Sequence, residues 1–592
     1  MRHGGQILVD QLRRLGVRRV FSVPGESFLA ALDGLHDSGI ANIVCRHEGA
    51  AAMMAEACGK MTGTPGICFV TRGPGATNAA AGIHIARQDS TPLIVFVGQI
   101  DTTHRDREAF QEISYPLVFG GLAKWVAEVN QTDRLPEYIG RAFAVATQGR
   151  PGPVVLALPE DMLSGHADVA DLPGPIPRAW PDLAGAARAA MTVLAGAKAP
   201  LVIVGGPHWS AIAAADLGRF ASAQGLPVAL GFRRQDYLDN RHPHYAGDLN
   251  VGVNPRLGAR LRAADALLVI GSRLGDIETQ GYTLIDPAAP GKRIVHVHAD
   301  PDEPGRVYTP TLAITATGPE MIAALAALPA ALPAALLATQ PAALPAALPA
   351  TLPAALPATP PATPPVALPV ATGWPDQVRA ARADYDRWAV PQPSPGAVQL
   401  EQVVRWLSDN LPLDAILTNG AGNYAAWLHR YFCYKRHGTQ LAPTSGSMGY
   451  GFPAAISAAL QYPDRTVVCL AGDGCFQMTL NEMSTAVQHG AAPIVIVANN
   501  GRYGTIRMHQ ERTYPGRVSG TDLANPDFAA LARAYGGHGE VVNETAAFPA
   551  AFARAQASGR LAVIELTLDP ESLSTGQTLS AARAQGLARK ID

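Results

Sequence analysis

An α/β fold of three doubly wound, Rossmann-like parallel-sheet domains is what this chain predicts, and three observations carry that expectation. Short apolar, β-branched runs alternate with helically spaced segments in three separate stretches. The length of 592 residues, with 48% hydrophobic content, suits about three or four domains of ordinary size. A stretch with no charged residue, 321–372, sets the last two apart.

The elements follow in order. Residues 1–165 predict a helix near 4–15, then strands near 19–22, 42–45, 67–70, 93–97 and 153–158. The first helix is amphipathic, its arginines (Arg13, Arg14, then Arg18 and Arg19) flank no long apolar centre, and a cytoplasmic location is expected over a secretory signal. Residues 185–320 repeat the style, with strands at 201–204, 228–230, 266–270 and 294–297. Residues 321–395 form an Ala-, Leu- and Pro-rich linker. Its prolines (Pro329, Pro333, Pro341, Pro345, Pro349, Pro353, Pro357) each remove a helical hydrogen bond, so a polyproline-like spacer is expected and a membrane helix is not. Residues 396–570 make the third domain, with a strand at 466–471, a sharp turn at 472–474, a helix over 478–489 that stops at Gly490, and a strand at 493–498. Residues 571–592 are left as a tail.

Net charge of −2 argues against nucleic acid as a partner. The six cysteines (Cys45, Cys58, Cys68, Cys433, Cys469, Cys475) show no metal or redox spacing, so buried thiols are expected.

The chemistry concentrates at Gly472-Asp473-Gly474 and, 24 residues on, Asn499-Asn500. A right-handed crossover between parallel strands brings Asp473 and Asn500 to the same carboxyl edge. A carboxylate and an amide oxygen are hard ligands, few in number, and suit Mg²⁺ that completes its octahedron with phosphate oxygens. Gly474 lets backbone N–H groups approach a diphosphate.

This pattern resembles the thiamine diphosphate (ThDP) binding motif, and the chain is similar to the acetolactate synthase-like branch of 2-oxo acid carboligases and decarboxylases. The resemblance implies that Asp473, Asn500 and the main-chain carbonyl of Arg502 ligate Mg²⁺, with Gly472, Gly474, Cys475, Tyr503 and Gly504 along the diphosphate. Ser445 to Gly451 resembles the segment in which a glycine carbonyl, here Gly446, accepts from the cofactor's amino group and a methionine, here Met448, wedges beneath it. Thr418 to Trp427 resembles the diphosphate-side loop, with Gly420, Gly422 and Asn423. Asn423 and Tyr424 replace a Gln-His pair. In the first domain, Arg46-His47-Glu48 matches the segment whose glutamate activates the pyrimidine ring, a proton-sharing role that suits a buried carboxylate. Thr71 to Asn78, with Pro74 and Asn78, matches the loop that packs on that ring. Because Glu48 and Asp473 belong to separate domains, the resemblance implies sites built between subunits, in a homodimer or homotetramer. The domains at 1–165, 185–320 and 396–570 then become pyrimidine-binding, central and diphosphate-binding. The central one binds FAD in acetolactate synthases and ADP in some relatives, with Arg273 and the segment from His298 to Asp300 as candidates here. Gly247-Asp248-Leu249-Asn250 replaces the Gly-Met-His-Gly turn, and an empty structural domain is the stronger expectation than FAD.

The same resemblance frames the reaction on a pyruvate-like 2-oxo acid. CO₂ leaves, and the enamine either takes a proton or adds to a second carbonyl compound. Thr505 and Ile506 stand at substrate-contact positions, and simple decarboxylases carry Glu where Ile506 stands. Phe110, Gln111 and Lys124 match the synthase pattern, with Gln111 as the polar contact. Glu26 and His509 depart from it, since synthases have Gly and Trp there. Carboligation is therefore expected. A non-ligating decarboxylase with Glu26 as proton relay is the alternative, and a weakly catalytic ThDP-binding regulatory or structural subunit is a third reading.

Overall fold

The computed structural model describes residues 1–174, 182–329 and 374–589. Three six-stranded sheets, all parallel, form its three α/β units. In the first, β1 (Arg19–Ser22), β2 (Ala41–Val44), β3 (Gly66–Val70), β4 (Leu93–Gln99), β5 (Trp125–Glu128) and β6 (Pro153–Pro159) lie in the order β2-β1-β3-β4-β6-β5. In the second, β7 (Pro200–Val204), β8 (Val228–Leu230), β9 (Tyr245–Asp248), β10 (Ala266–Ile270), β11 (Arg293–His298) and β12 (Leu312–Thr315) lie in the order β9-β8-β7-β10-β11-β12. In the third, β13 (Ile416–Asn419), β14 (Gln440–Leu441), β15 (Val467–Gly472), β16 (Ile494–Asn499), β17 (His538–Val542) and β18 (Ala562–Thr567) lie in the order β14-β13-β15-β16-β18-β17. The outer sheets thus share one order and the middle sheet has another.

The central strands are continuous apolar runs because both faces are covered by helices. β3 (Gly-Ile-Cys-Phe-Val) and β7 (Pro-Leu-Val-Ile-Val) are buried at every position. The first and third units share a core. Helix Glu48–Thr62 packs on helix Gly451–Gln461, and Ala51, Ala52 and Ala55 meet Ala454, Ala455 and Ala458 in one buried cluster. Small side chains allow that close approach, and the Ser457 hydroxyl donates to the Met54 carbonyl at 2.8 Å.

Three sequence expectations change here. The sharp turn at 472–474 and the single helix over 478–489 are replaced by a strand ending on Gly472, a short helix Asp473–Gln477, a 3-10 turn Leu480–Glu482 and a helix Met483–Gln488. Thr479 breaks the run at φ −139°, and its hydroxyl donates to the Gly449 carbonyl at 2.9 Å. The second change concerns the linker. Residues 330–373 lie outside the described residues, but Trp374–Trp388 is a helix docked on the middle unit. Its Trp374 Nε1 donates to the Ala197 carbonyl at 2.8 Å, and Tyr385 packs edge-on against Tyr245 at 4.7 Å. The tail, too, contains a helix, Leu579–Ala588. Among the described residues, no helix is long and apolar enough to cross a membrane.

Candidate active site

A cleft of about 220 Å³ opens at the carboxyl ends of β13, β15 and β16. It sits where the strand order reverses, the usual position for a ligand in an open α/β sheet. Its walls bring together most of the residues expected near the diphosphate. Gly422 and Asn423 follow β13, Gly472 to Cys475 follow β15, and Asn500, Arg502, Tyr503, Gly504, Thr505 and Ile506 follow β16, with Gly446 and Met448 at one side. Gly420 lies just behind. A Cβ on Gly420, Gly472 or Gly474 would stand 2.6 Å from Cys475 Sγ, 2.7 Å from the Tyr424 ring and 2.5 Å from the Tyr503 ring, so a side chain at any of them would push a wall aside.

Asp473 is 3% exposed and accepts from the N–H of Gly474 (2.9 Å), the N–H of Gly501 (2.9 Å) and Nδ2 of Asn525 (2.8 Å). Burial raises its carboxyl above the ordinary range, and the donors oppose that shift. Asn525 also donates to Oδ1 of Asn499 at 2.8 Å and accepts from Gln477 at 2.7 Å. It is a supporting residue that the sequence reading missed. No motif marks it, because it reaches the site from a loop 52 residues beyond Asp473. The half-buried Asn500 is on the cleft wall, and the amide of its neighbour Asn499 donates to Glu565 at 2.7 Å. Among the described residues, no group of three or more His, Cys, Asp or Glu gathers as a metal site. The donor set is instead one carboxylate, one amide and nearby carbonyls, hard oxygens that fit Mg²⁺ when phosphate supplies the rest.

The substituted pair takes structural positions. Asn423 accepts from the Thr505 hydroxyl (3.0 Å) and donates to the Leu573 carbonyl (3.0 Å). The Tyr424 hydroxyl accepts from the Gly420 N–H (3.1 Å) and meets Cys475 Sγ at 3.2 Å, while Sγ also accepts from the Gly449 N–H at 3.2 Å. Ile506 and His509 share the exposed face of helix Gly504–Thr513, and Ile506 is 55% exposed.

A second group of candidates meets at the carboxyl edge of the first sheet. Glu48 opens helix Glu48–Thr62, capped by His47, and is half-buried. Its Oε2 accepts from Asn78 Nδ2 at 2.9 Å, and its Oε1 would lie 3.1 Å from a Cβ on Gly75. Pro74 begins the short helix Pro74–Asn78 directly after Gly73, whose φ of 55° favours glycine. Gln111 holds φ 65° and presses on Gly73, whose added Cβ would stand 2.8 Å from the Gln111 carbonyl oxygen. Phe110 is 73% exposed, and its carbonyl accepts from Arg72 Nε at 3.2 Å. Arg72 is buried and pairs with Glu26 at 2.7 Å and with Glu160. Glu26 therefore sits in an ion pair, with its side chain 67% exposed.

Lys124 does not join this group. It precedes β5 at the amino edge of the sheet, and its ammonium donates to the carbonyls of Val145 (2.6 Å) and Gln148 (2.8 Å). Burial, with Arg87 and Arg150 nearby, lowers it to about 8. As a substrate contact from this chain it is displaced, because strand β5 runs from Lys124 towards the carboxyl edge.

None of the cleft's walls comes from the first unit. The two units meet elsewhere: the Arg46 N–H donates to buried Glu482 at 3.1 Å, and the Val44 N–H donates to His489 at 3.0 Å. Burial also raises the Glu482 carboxyl.

Comparison with known proteins then gives a consistent answer. Residues 2–116, 187–325 and 420–566 match family models described as the N-terminal TPP binding domain, the central domain and the C-terminal TPP binding domain of thiamine pyrophosphate enzymes. The chain is 30% identical over 558 residues to the acetolactate synthase large subunit of Parasynechococcus marenigrum, a match covering 91% of this chain and 83% of that one. It is 28% identical over 540 residues to the acetolactate synthase isozyme 2 large subunit of Escherichia coli (strain K12), covering 91% and 90%. Against the acetolactate synthase large subunit of Corynebacterium glutamicum the identity is 30% over 546 residues, covering 90% and 81%.

Proposed function

The chain belongs to the thiamine pyrophosphate enzymes, in their acetolactate synthase-like branch, and we propose that it decarboxylates a pyruvate-like 2-oxo acid and joins the retained fragment to a second carbonyl compound. One observation carries this choice of outcome: among the described residues Asp473 is the only acidic side chain in the cleft wall, and the exposed Ile506 in the same wall is aliphatic. An aldehyde product needs a proton delivered where the fragment is held. Asp473 is committed to three hydrogen bonds and to the metal assigned below, and Ile506 has no proton to give. A lip without an acid leaves time for a second carbonyl to react.

ThDP, when bound, supplies the nucleophilic carbon. The chain's residues bind and orient it. Asp473, Asn500 and the Arg502 carbonyl would hold Mg²⁺, and Gly472, Gly474, Cys475, Tyr503 and Gly504, which line the cleft, would face the diphosphate. The Gly446 carbonyl and Met448 shape the opposite side. Glu48 holds the proton at the pyrimidine nitrogen, and Asn78 fixes the rotation of its carboxylate through Oε2. Gln111 contacts the substrate. That the cleft takes no wall from the first unit of the same chain supports a site completed by Glu48 and Gln111 of a partner subunit, with a homodimer as the smallest active form.

The second reading, a non-ligating decarboxylase, would use Glu26 as a proton relay. Its ion pair with the buried Arg72 engages the carboxylate that such a relay would use. The deciding experiment gives the purified protein ThDP, Mg²⁺ and pyruvate and identifies the product. Acetolactate is expected. Acetaldehyde as the sole product would overturn the proposal, and no turnover across a panel of 2-oxo acids would favour a ThDP-binding regulatory or structural subunit.

A further inference from the structure

The middle unit has the strand order in which dinucleotides rest across the crevice between the first and fourth strands, here β7 and β10, at their carboxyl ends. In this chain the crevice holds one of its own carboxylates. Glu278 Oε1 accepts from the Phe232 N–H, just past β8, at 3.2 Å, and Oε2 accepts from the Ser272 hydroxyl, just past β10, at 2.5 Å. Those are donors an incoming phosphate would need. Glycines make the room: a Cβ on Gly231 would lie 2.3 Å from Glu278 Oε1, and one on Gly205 would lie 3.7 Å from it.

The loops around Glu278 also close on each other. A Cβ on Gly206 would meet the Gly271 carbonyl oxygen at 2.1 Å, so the two backbones are in direct contact. The Gly205 carbonyl accepts from Trp209 Nε1 at 3.0 Å, and the Gly206 carbonyl accepts from the Tyr237 hydroxyl at 2.7 Å, which ties the first loop down. The space left beside Glu278, Arg273 and Asp276 is about 100 Å³. Small-ligand sites start at about 300 Å³, and a dinucleotide needs far more. His298, expected to face a nucleotide, is 1% exposed, and its Nδ1 accepts from the Asp300 N–H at 3.0 Å.

We propose that Glu278 is a built-in occupant of the central crevice, and that this chain therefore carries neither a flavin nor an adenine nucleotide there. The carboxylate does the work of a bound phosphate, satisfying the loop donors and tying the loop after β8 to the loop after β10. Its negative charge repels the phosphate it replaces. The middle unit is then a structural domain, and the reaction proposed above runs without it as a cofactor site.

The test is binding of FAD and of ADP to the full-length protein, read by flavin fluorescence and by thermal shift. The wild-type protein is expected to purify without flavin and to show no saturable binding of either nucleotide. Glu278→Ala is expected to bind ADP or FAD saturably, at least ~10-fold more tightly than the limit the wild-type titration sets, a gain of about 1.4 kcal/mol or more. Glu278→Gln, which keeps the volume and removes only the charge, serves with the same expected sign and a smaller gain if the alanine variant does not fold. Stoichiometric flavin in the wild-type protein would overturn the proposal, as would variants that bind no better than wild type. Neither readout depends on turnover, so failure here leaves the carboligase reading untouched.

Discussion

The outer units and the middle unit use the same building plan and finish it in opposite ways. In the third unit, Gly420, Gly472 and Gly474 let the walls stand close behind the cleft while its mouth stays open. In the middle unit, Gly206 (φ 75°) and Gly271 (φ 73°) let two loops touch, and Gly231 admits a glutamate into the crevice. The strands do not determine which result follows. A carboxyl edge becomes a binding site only when its loops withhold their donors from the protein itself, which is why fold alone carries no function. The two outer units sharpen this further. They share one strand order, yet the carboxyl edge of one holds Glu48 and Asn78 while that of the other opens into the cleft around Asp473 and Asn500.

The comparison breaks most visibly at Glu48. If the first unit contributes chemistry, Glu48→Gln lowers turnover at least ~100-fold while ThDP still binds, since general acid–base loss falls on that scale. Unchanged turnover would make the first unit a scaffold like the middle one. The same variant tests the sharing of sites between subunits. Glu48→Gln and Asp473→Ala should each be nearly inactive, but subunits mixed at random in a two-fold dimer should regain about a quarter of wild-type activity, because half the dimers then hold one intact site. No recovery after mixing would place both residues in the same chain's site.

Next in size is the support under Asp473. Asn525 bridges Asp473 and Asn499 with a pair of 2.8 Å hydrogen bonds. Residues that orient a metal ligand typically cost 10–100-fold in affinity when removed. Asn525→Ala should weaken the activating Mg²⁺ concentration by about 10-fold or more and restore near-normal turnover at saturating Mg²⁺. An unchanged Mg²⁺ titration would mean that Asp473 is held well enough by the N–H groups of Gly474 and Gly501.

The legibility of these regions in the sequence differs for physical reasons. The strands the sequence reading did not name in the first two units, Trp125–Glu128, Tyr245–Asp248 and Leu312–Thr315, are all sheet edges. Edge strands need no continuous apolar run, so their pattern fades. The residues around Asp473 were legible because their chemistry requires fixed types at a fixed spacing. Asn525 and Glu278 were not, since each reaches its partner through the fold from a loop without a motif. Lys124 matched a sequence pattern, but strand β5 carries it to the amino edge of the sheet.

The smallest expected effect lies in the segment first read as a tail. Helix Leu579–Ala588 packs behind helix Gly504–Thr513, which carries Thr505, Ile506 and His509, so closely that a Cβ on Gly586 would stand 2.2 Å from the Glu511 carbonyl oxygen. Arg583 grips the 1% exposed Glu511 through two hydrogen bonds, 2.9 and 2.7 Å, with Arg507 Nε and the Gly516 N–H at 3.0 and 2.9 Å. Arg583, first among these, draws the Glu511 carboxyl down from 4.5 to about 2. Because Arg583 is itself partly exposed and Glu511 keeps its other partners, Arg583→Ala should cost only about 1 kcal/mol. The sign of its pH dependence follows from the lowered carboxyl. Its contribution is complete above the ordinary value of 4.5 and is lost as pH falls towards about 2. The difference in Tm between wild type and Arg583→Ala should therefore be steady from pH 7 to about 5 and shrink below that. A difference that grew on acidification would assign the docking of this helix to something other than the Glu511 pair. If the variant also raised KM without changing kcat, the helix would be holding the cleft's lip in place, which is the property that separates the third unit from the closed middle one.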